Sequence, residues 1–290
     1  GGNGMGNYRI AFSGVLGGEA LTFATGITDL EVLTGPGGSM LAAVTRPGSG
    51  GGLSLFNTET GAVLRTAPVA QDLLQLTPPD LAVLQTGGQS YLSMLGLRDP
   101  ALLSMPVSAT GTLGDVQRLA ATGHDLGLAT GLVSASFGGT LHHYASIRGT
   151  GLIQLTNPAG STFVAQPLTL SGDGARHMVS DMARLSLEGR DYLVTAFATA
   201  DSLSAFRVNS GGALQRMSDH GAQQGLGMDA PVALATATVG GTGYVVAAST
   251  LSSSLSVLEL RAGGILAPVD HVIDDLNTRF HRVTALETVT

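Results

Sequence analysis

Short apolar runs alternate with turns rich in Gly, Ser and Asp along most of the chain. Three consecutive runs, Asp191 to Phe197, Asp201 to Arg207 and Gly211 to Arg216, predict three short strands. Their β-branched and aromatic residues favour strands, and the small and polar residues between them favour turns. The same three pieces return 52 residues later, beginning at Tyr244, Ser254 and Gly263. The pattern therefore predicts a repeated unit of short strands.

Paired anchors eleven residues apart define the repeat more widely. The first members of the pairs are separated by 49, 50, 51 and 52 residues, and the pairs are Leu53 and Leu64, Leu102 and Leu113, Leu152 and Phe163, Leu203 and Leu214, and Leu255 and Leu266. A period near 50 residues built from short strands is typical of a β-propeller, in which each four-stranded unit is one blade. No window of a dozen residues sustains the 3.6-residue period that a helical solenoid requires. The sequence predicts an all-β propeller of four-stranded antiparallel blades.

We assign residues 1–290 to a single propeller domain with five complete blades. The predicted units are approximately 27–76, 77–125, 126–176, 177–228 and 229–280. Terminal strands within residues 8–25, namely Tyr8 to Phe12 and Ala20 to Thr25, and within residues 283–290 are predicted to belong to a closing or further blade. Pairing of the two termini would remove exposed strand edges. We expect a continuation of the same chain to complete a propeller of six or seven blades.

Composition excludes several classes of partner and site. All fourteen basic residues are Arg, the net charge is −7, and there is no Cys. An acidic chain argues against nucleic acid as a partner, because nucleic-acid binding requires a basic surface. No apolar run approaches the roughly 20 residues needed to cross a bilayer, so no membrane insertion is expected. Without Cys, disulfides and thiolate metal sites are excluded.

One blade carries a family resemblance. Arg176 to Val179 leading to Glu188 to Val194, then Ser202 to Val208 and Gly211 to Leu214, resemble blades of the lactonase-like and YVTN-type propellers. Such motifs mark a blade and are not specific for an activity. The Lys-free, Cys-free, acidic chain is also similar to the propeller portion of secreted RTX-type calcium-binding repeat proteins of bacteria. That resemblance implies an extracellular location, with any Ca²⁺ site outside this segment, because the Gly/Asp nonapeptide is absent here.

Candidate chemistry collects where the predicted blades meet the channel mouth. Four residues precede successive innermost strands and are candidate metal ligands: His124, His177, Asp229 and His281. The last three are also candidates for general acid and base. Candidate binding residues are Asp29, Asp80 and Asp181 at the starts of innermost strands, and Arg98 and Arg148, with Arg46, in the turns after second strands. The alternative is that Asp and His here only cap turns by bonding nearby backbone amides.

Two functions follow from these patterns. The first is a non-catalytic extracellular scaffold or recognition module of a secreted calcium-binding repeat protein, with a protein, a glycan or another copy of itself as partner. The alternative is a lactonase-like hydrolase with a metal or a His/Asp site at the channel mouth. The fold alone cannot separate these functions, since propellers carry both.

Overall fold

Twenty strands make up the fold in the part of the chain that the computed structural model describes. That part comprises residues 26–35, 38–49, 51–69, 79–108, 112–156, 161–275, 280 and 282–288. The only helical elements in these ranges are 3-10 turns of three or four residues. None of the helices in the described ranges has the length and apolar character of a membrane span. The predicted all-β class is confirmed.

The strands form five four-stranded antiparallel blades in chain order. Blade 1 comprises β1 (Ile27–Gly35), β2 (Gly38–Thr45), β3 (Gly52–Asn57) and β4 (Val63–Pro68), and blade 2 comprises β5 (Asp80–Thr86), β6 (Gln89–Leu95), β7 (Leu102–Val107) and β8 (Gln117–Ala121). Blade 3 comprises β9 (Ala129–Phe137), β10 (Thr140–Ile147), β11 (Gly151–Thr156) and β12 (Thr162–Pro167). Blade 4 comprises β13 (Asp181–Leu187), β14 (Arg190–Phe197), β15 (Ser202–Val208) and β16 (Leu214–Gly221), and blade 5 comprises β17 (Pro231–Val239), β18 (Thr242–Ser249), β19 (Ser254–Arg261) and β20 (Ile265–Ile273). Consecutive strands pair as neighbours within each blade.

The anchors predicted from the repeat fall in the expected strands, with one exception. Leu203, in the third strand of blade 4, is fully buried, as a residue packed between sheets must be. Leu113 lies outside β8 and forms only an isolated bridge with Val107. The fourth strand of blade 2 therefore begins four residues later than the repeat predicts.

Blades 2 and 3 are joined at their outer edges, which the sequence does not predict. β8 and β12 pair in parallel through Thr162 with Ala120 and Phe163 with Ala121. The two blades thus form one eight-stranded sheet. This short ladder covers two edges that would otherwise offer unpaired backbone groups.

The core consists of seams between neighbouring blades. One seam packs Leu33 of blade 1 on Leu81 of blade 2, and another packs Leu185 of blade 4 on Leu234 of blade 5. Two further clusters join blades 2 and 3 and blades 3 and 4. Apolar area buried in every seam stabilises the ring, at about 25 cal/mol per Å² removed from water.

Residues 282–288 lie between blade 5 and blade 1. The Thr284 hydroxyl donates to Ile27 O at 3.2 Å, and the Thr250 hydroxyl donates to Val283 O at 3.1 Å. Val283 and Leu286 pack on the apolar cluster of blade 5. These seven residues form no β-ladder, although they occupy the place predicted for a closing strand. The predicted strands within residues 8–25 lie outside the described residues, so the assignment of a single closed domain stays a prediction.

Candidate axial site

The starts of the five innermost strands converge on a cavity of about 250 Å³. The first residues of β1, β5, β9, β13 and β17 line it, together with the turn after β10 and Thr284. The first strand of each blade is the innermost one and is called strand a from here on. Strand a begins at this end, and the turn from the second to the third strand lies at the same end. Propeller topology therefore explains why equivalent positions of different blades meet here.

Hydroxyl groups connect the blades around this cavity. Thr28 donates to Pro79 O and Ser180 donates to Pro231 O, both at 2.7 Å. Each bond runs from one blade to the start of the next innermost strand. Thr284 makes the corresponding bond to blade 1. Thr28 lies at the start of β1 and Ser180 directly precedes β13, so their bonds fix the position of the residue that follows each of them.

In blades 1 and 4 that following residue is an aspartate held by backbone amides. Asp29 Oδ2 accepts from Leu81 N at 2.8 Å. Asp181 Oδ2 accepts from Leu234 N at 2.6 Å, and its Oδ1 accepts from Met182 N at 2.7 Å. Both contacts to the neighbouring blade use the same position of its innermost strand. Backbone amides of the fold therefore orient both carboxyl groups.

Burial makes these acids weak. Desolvation raises the pKa of Asp29, and it raises the pKa of Asp80 well above its ordinary value, helped by the charge of Asp29. The two carboxyl groups share a hydrogen bond, so one proton is held between them. Burial, and then the charge of Asp29, raises the pKa of Asp181 to about 8. Burial and the charge of Asp29 thus favour the protonated forms of Asp80 and Asp181.

One arginine lines the axial cavity beside these acids. Arg148, in the turn after β10, lines the same cavity and its side chain is exposed. Four of the five predicted binding residues therefore lie together: Asp29, Asp80, Asp181 and Arg148. Arg98 is exposed on the same face and does not line the cavity.

The predicted ligands His124, His177 and Asp229 do not line the axial cavity. His177 is half-buried, with Nδ1 2.9 Å from Thr199 Oγ1. Asp229 is exposed and His124 is half-buried away from the lining, while His281 lies outside the described residues. Among the residues that the structure describes, no three His, Asp or Glu side chains are grouped to hold a metal ion. His124, His177 and Asp229 lie two to five residues before the first strand of the blade that follows them.

A second cavity of about 270 Å³ lies at the other end of the innermost strands. Glu31 lines it and accepts from Val83 N at 3.1 Å. Desolvation raises the pKa of Glu31 well above its ordinary value, and the charge of Glu287 adds to this. Sequence reasoning missed Glu31 as well as the hydroxyls of Thr28, Ser180 and Thr284. Their equivalent places in the repeat, each beside a strand-a start, are the signal that could have found the hydroxyls.

Solved structures share the fold at low sequence identity. A periplasmic gluconolactonase of Pseudomonas aeruginosa matches with a TM-score of 0.56 and 15% identity, over 85% of this chain and 70% of its own. A proposed 6-phosphogluconolactonase of Bacteroides fragilis matches with a TM-score of 0.52 and 17% identity, over 85% and 70%. A functionally unknown protein of Desulfotomaculum acetoxidans has a TM-score of 0.53 and 17% identity, over 85% and 71%.

These likenesses support a lactonase-like propeller fold and nothing finer. No protein-family model matches the chain, and no curated protein matches its sequence. None of the three structures is described as a calcium-binding repeat protein, so the second resemblance drawn from composition has no support among them. Any activity must be argued from the axial site itself.

Proposed function

We propose that this protein hydrolyses a small cyclic ester of a sugar acid in the axial cavity. The observation that carries the proposal is the Asp29–Asp80 pair and Asp181 placed beside Arg148 in one cavity of about 250 Å³. That volume lies near the lower end of small-molecule sites and suits a single sugar ring. The names of two structural neighbours, a gluconolactonase and a proposed 6-phosphogluconolactonase, agree with this class of substrate.

In the proposed reaction, Asp181 is the general base. Its carboxylate oxygens each accept one backbone N–H and each keeps a lone pair for water. Asp181 takes a proton from water while the water oxygen bonds to the ester carbonyl carbon. A base with a pKa of about 8 is well matched to this work near neutral pH, because proton transfer is most efficient when the pKa lies near the working pH.

Asp80 is the general acid. The ring C–O bond breaks, and the departing alkoxide takes the proton held between Asp80 and Asp29. The product is a hydroxy acid, and the proton on Asp181 returns to the Asp29–Asp80 pair through solvent. Arg148 pairs with an anionic group of the substrate, since a guanidinium binds carboxylate or phosphate through two hydrogen bonds.

The rival function is recognition without turnover. A scaffold or binding module of a secreted calcium-binding repeat protein, as the sequence first suggested, would use the same cavity to hold a sugar acid unchanged. Since cavity shape and charge serve both functions, turnover is the property that separates them.

The test is acid release from gluconolactone and 6-phosphogluconolactone above the uncatalysed rate. We expect Asp181→Asn and Asp80→Asn each to lower turnover about 100-fold or more, as loss of a general base or acid does. Asp229→Asn is the matched control, because it removes an exposed carboxylate from the same face outside the cavity. Turnover should rise with pH up to about 8 as Asp181 ionises. Binding of the hydroxy acid with no catalysis by the folded wild type would refute the hydrolase and support recognition.

A further inference from the structure

The turn between the second and third strands carries an arginine in each of the first three blades, directly after the second strand in blades 1 and 3 and two residues later in blade 2. Arg46, Arg98 and Arg148 each lie in the turn between the second and third strands. The backbone shows that the first and last are equivalent, because Arg46 N donates to Gly26 O and Arg148 N donates to Leu128 O, both at 3.0 Å.

Blades 4 and 5 lack this charge. Thr250 N makes the same contact, to Ala230 O at 3.1 Å, so a threonine holds the position in blade 5. Ala198 follows the second strand of blade 4. The basic residues therefore form an arc over blades 1 to 3 and do not encircle the face.

The arginine arc, defined as Arg46, Arg98 and Arg148, is free to bind an anion. All three side chains are exposed. The ion pairs found among the described residues are Arg118–Asp99, Arg184–Asp191, Arg216–Asp219 and Arg261–Glu259, and none uses the arc. Three exposed arginines on one face, with no carboxylate partner within the described ranges, contrast with the net charge of −7 of the chain.

The arc begins at the axial cavity. Arg148 and Gly96, which precedes Arg98 by two residues, both line the cavity. Thr28, which also lines it, lies two residues after the Gly26 carbonyl that holds Arg46. A ligand whose end enters the cavity can therefore extend over the rim towards the other two arginines.

We propose that this surface binds an acidic oligosaccharide, with its terminal sugar in the axial cavity and successive carboxylates on Arg148, Arg98 and Arg46. Carboxyl groups and hydroxyl oxygens in the cavity can bond to sugar hydroxyls, and guanidinium groups bind carboxylates through paired hydrogen bonds. No aromatic side chain is among the described residues that line the cavity. Single-stranded nucleic acid, which needs such rings for base stacking, therefore fits less well.

The inference concerns binding and does not depend on hydrolysis in the cavity. The probes are galacturonate oligomers of one to four units, with neutral galactose oligomers of the same lengths for comparison, measured by titration calorimetry. We expect affinity to rise with each uronate up to three units and to fall with added salt. Arg98→Ala and Arg46→Ala should each weaken binding of the trimer by about three- to tenfold, as expected for exposed charge pairs.

Arg190→Ala is the matched control. Arg190 is an exposed arginine beside the turn between the first two strands of blade 4, at the opposite end of the blade. Its loss should leave trimer affinity unchanged, and the thermal midpoints of all three variants should stay near that of the wild type. Equal binding of neutral oligomers, affinity that ignores length, or equal losses for Arg190→Ala and Arg98→Ala would overturn the proposal. Tighter binding of a single-stranded oligonucleotide than of the uronate trimer would overturn it too.

Discussion

Asp181 and Asp191 lie ten residues apart in blade 4, yet their surroundings give them opposite properties. Asp191 is buried in the seam between blades 3 and 4. Burial opposes its ionisation, but hydrogen bonds from the Ser186 hydroxyl and Ser136 N, with the Arg184 guanidinium, together lower its pKa. At the axis, Asp181 accepts from two backbone amides and forms no ion pair among the described residues, and burial raises its pKa to about 8.

The difference teaches that the number and charge of the partners decide what a buried carboxylate does. In the seam, Arg184 Nε lies 2.8 Å from Asp191 Oδ2, so the ionised form is satisfied and stabilises the contact between two blades. At the axis, neighbouring carboxyl groups repel the ionised form of Asp181. The first arrangement is structural, and the second holds a proton ready for transfer.

The largest effect should come from breaking the seam. Asp191→Asn removes the charge that Arg184 neutralises and one acceptor among several buried donors, so we expect the free energy of unfolding to fall by about 2 to 4 kcal/mol. Urea denaturation followed by intrinsic tyrosine fluorescence measures it. Glu259→Gln, in the solvent-facing pair with Arg261, is the control and should change stability by less than about 0.5 kcal/mol. A loss for Asp191→Asn no greater than that of the control would show that the seam does not depend on this carboxylate.

The axis should respond in the opposite direction. Asp181→Asn keeps the shape of the side chain and removes its ionisation. At pH 8 to 9 we therefore expect the free energy of unfolding of the variant to exceed that of the wild type by about 1 kcal/mol. The same substitution should abolish turnover. A gain in stability with a loss of activity is expected where a site holds an unfavourable charge. If the variant were less stable than the wild type at pH 9, Asp181 would be satisfied in its ionised form, and the comparison with Asp191 would be wrong.

The pH dependence of the two variants should sharpen the contrast. Because the folded pKa of Asp181 is raised, its contribution to stability is fully present below about pH 4 and is lost as pH rises towards 8. Asp191 has a lowered folded pKa, so its contribution is present above about pH 4 and is lost as pH falls below that. Denaturation from pH 3 to pH 9 should therefore show the deficit of Asp191→Asn shrinking in acid, while the advantage of Asp181→Asn grows towards alkaline pH. If the free energies of unfolding of the two variants differed from that of the wild type by the same pH dependence, the contrast between Asp181 and Asp191 would be contradicted.

Much of the fold could be predicted because each repeat of the sequence pattern reflects the same packing of one blade against the next. Leucines such as Leu203 return every fifty residues, since each blade must bury the same face against its neighbour. The pairing of β8 with β12 could not be predicted, because two edge strands meet through the angle between blades and not through any local pattern. The sequence predicts Leu113 in the fourth strand of blade 2 because it follows Leu102 by eleven residues. In the structure that strand, β8, begins later, at Gln117, and Leu113 forms only an isolated bridge.

The candidate site could be predicted only in part. Asp29, Asp80 and Asp181 stand at strand starts, where topology brings side chains to the axis, and the structure places all three in one cavity. His124, His177 and Asp229 lie in the connections two to five residues before strand a, and the path of a connection is not determined by strand periodicity. Position within a strand therefore predicts convergence better than position in a loop.

The smallest effect should come from a glycine at the strand position that carries aspartate in three other units. Gly131 is buried in β9, and a Cβ there would lie 3.5 Å from Met182 Cε, an ordinary contact. Gly131→Ala should therefore raise the free energy of unfolding by up to about 1 kcal/mol, since alanine loses less backbone freedom on folding. Turnover should not change, because the residue does not line the cavity. Gly127→Ala is the matched contrast: its Cβ would lie 2.4 Å from the carbonyl oxygens of Leu97 and Asp99. A loss for Gly131→Ala as large as that for Gly127→Ala would mean that the axis is packed as tightly as the turns around it, leaving no room for a substrate.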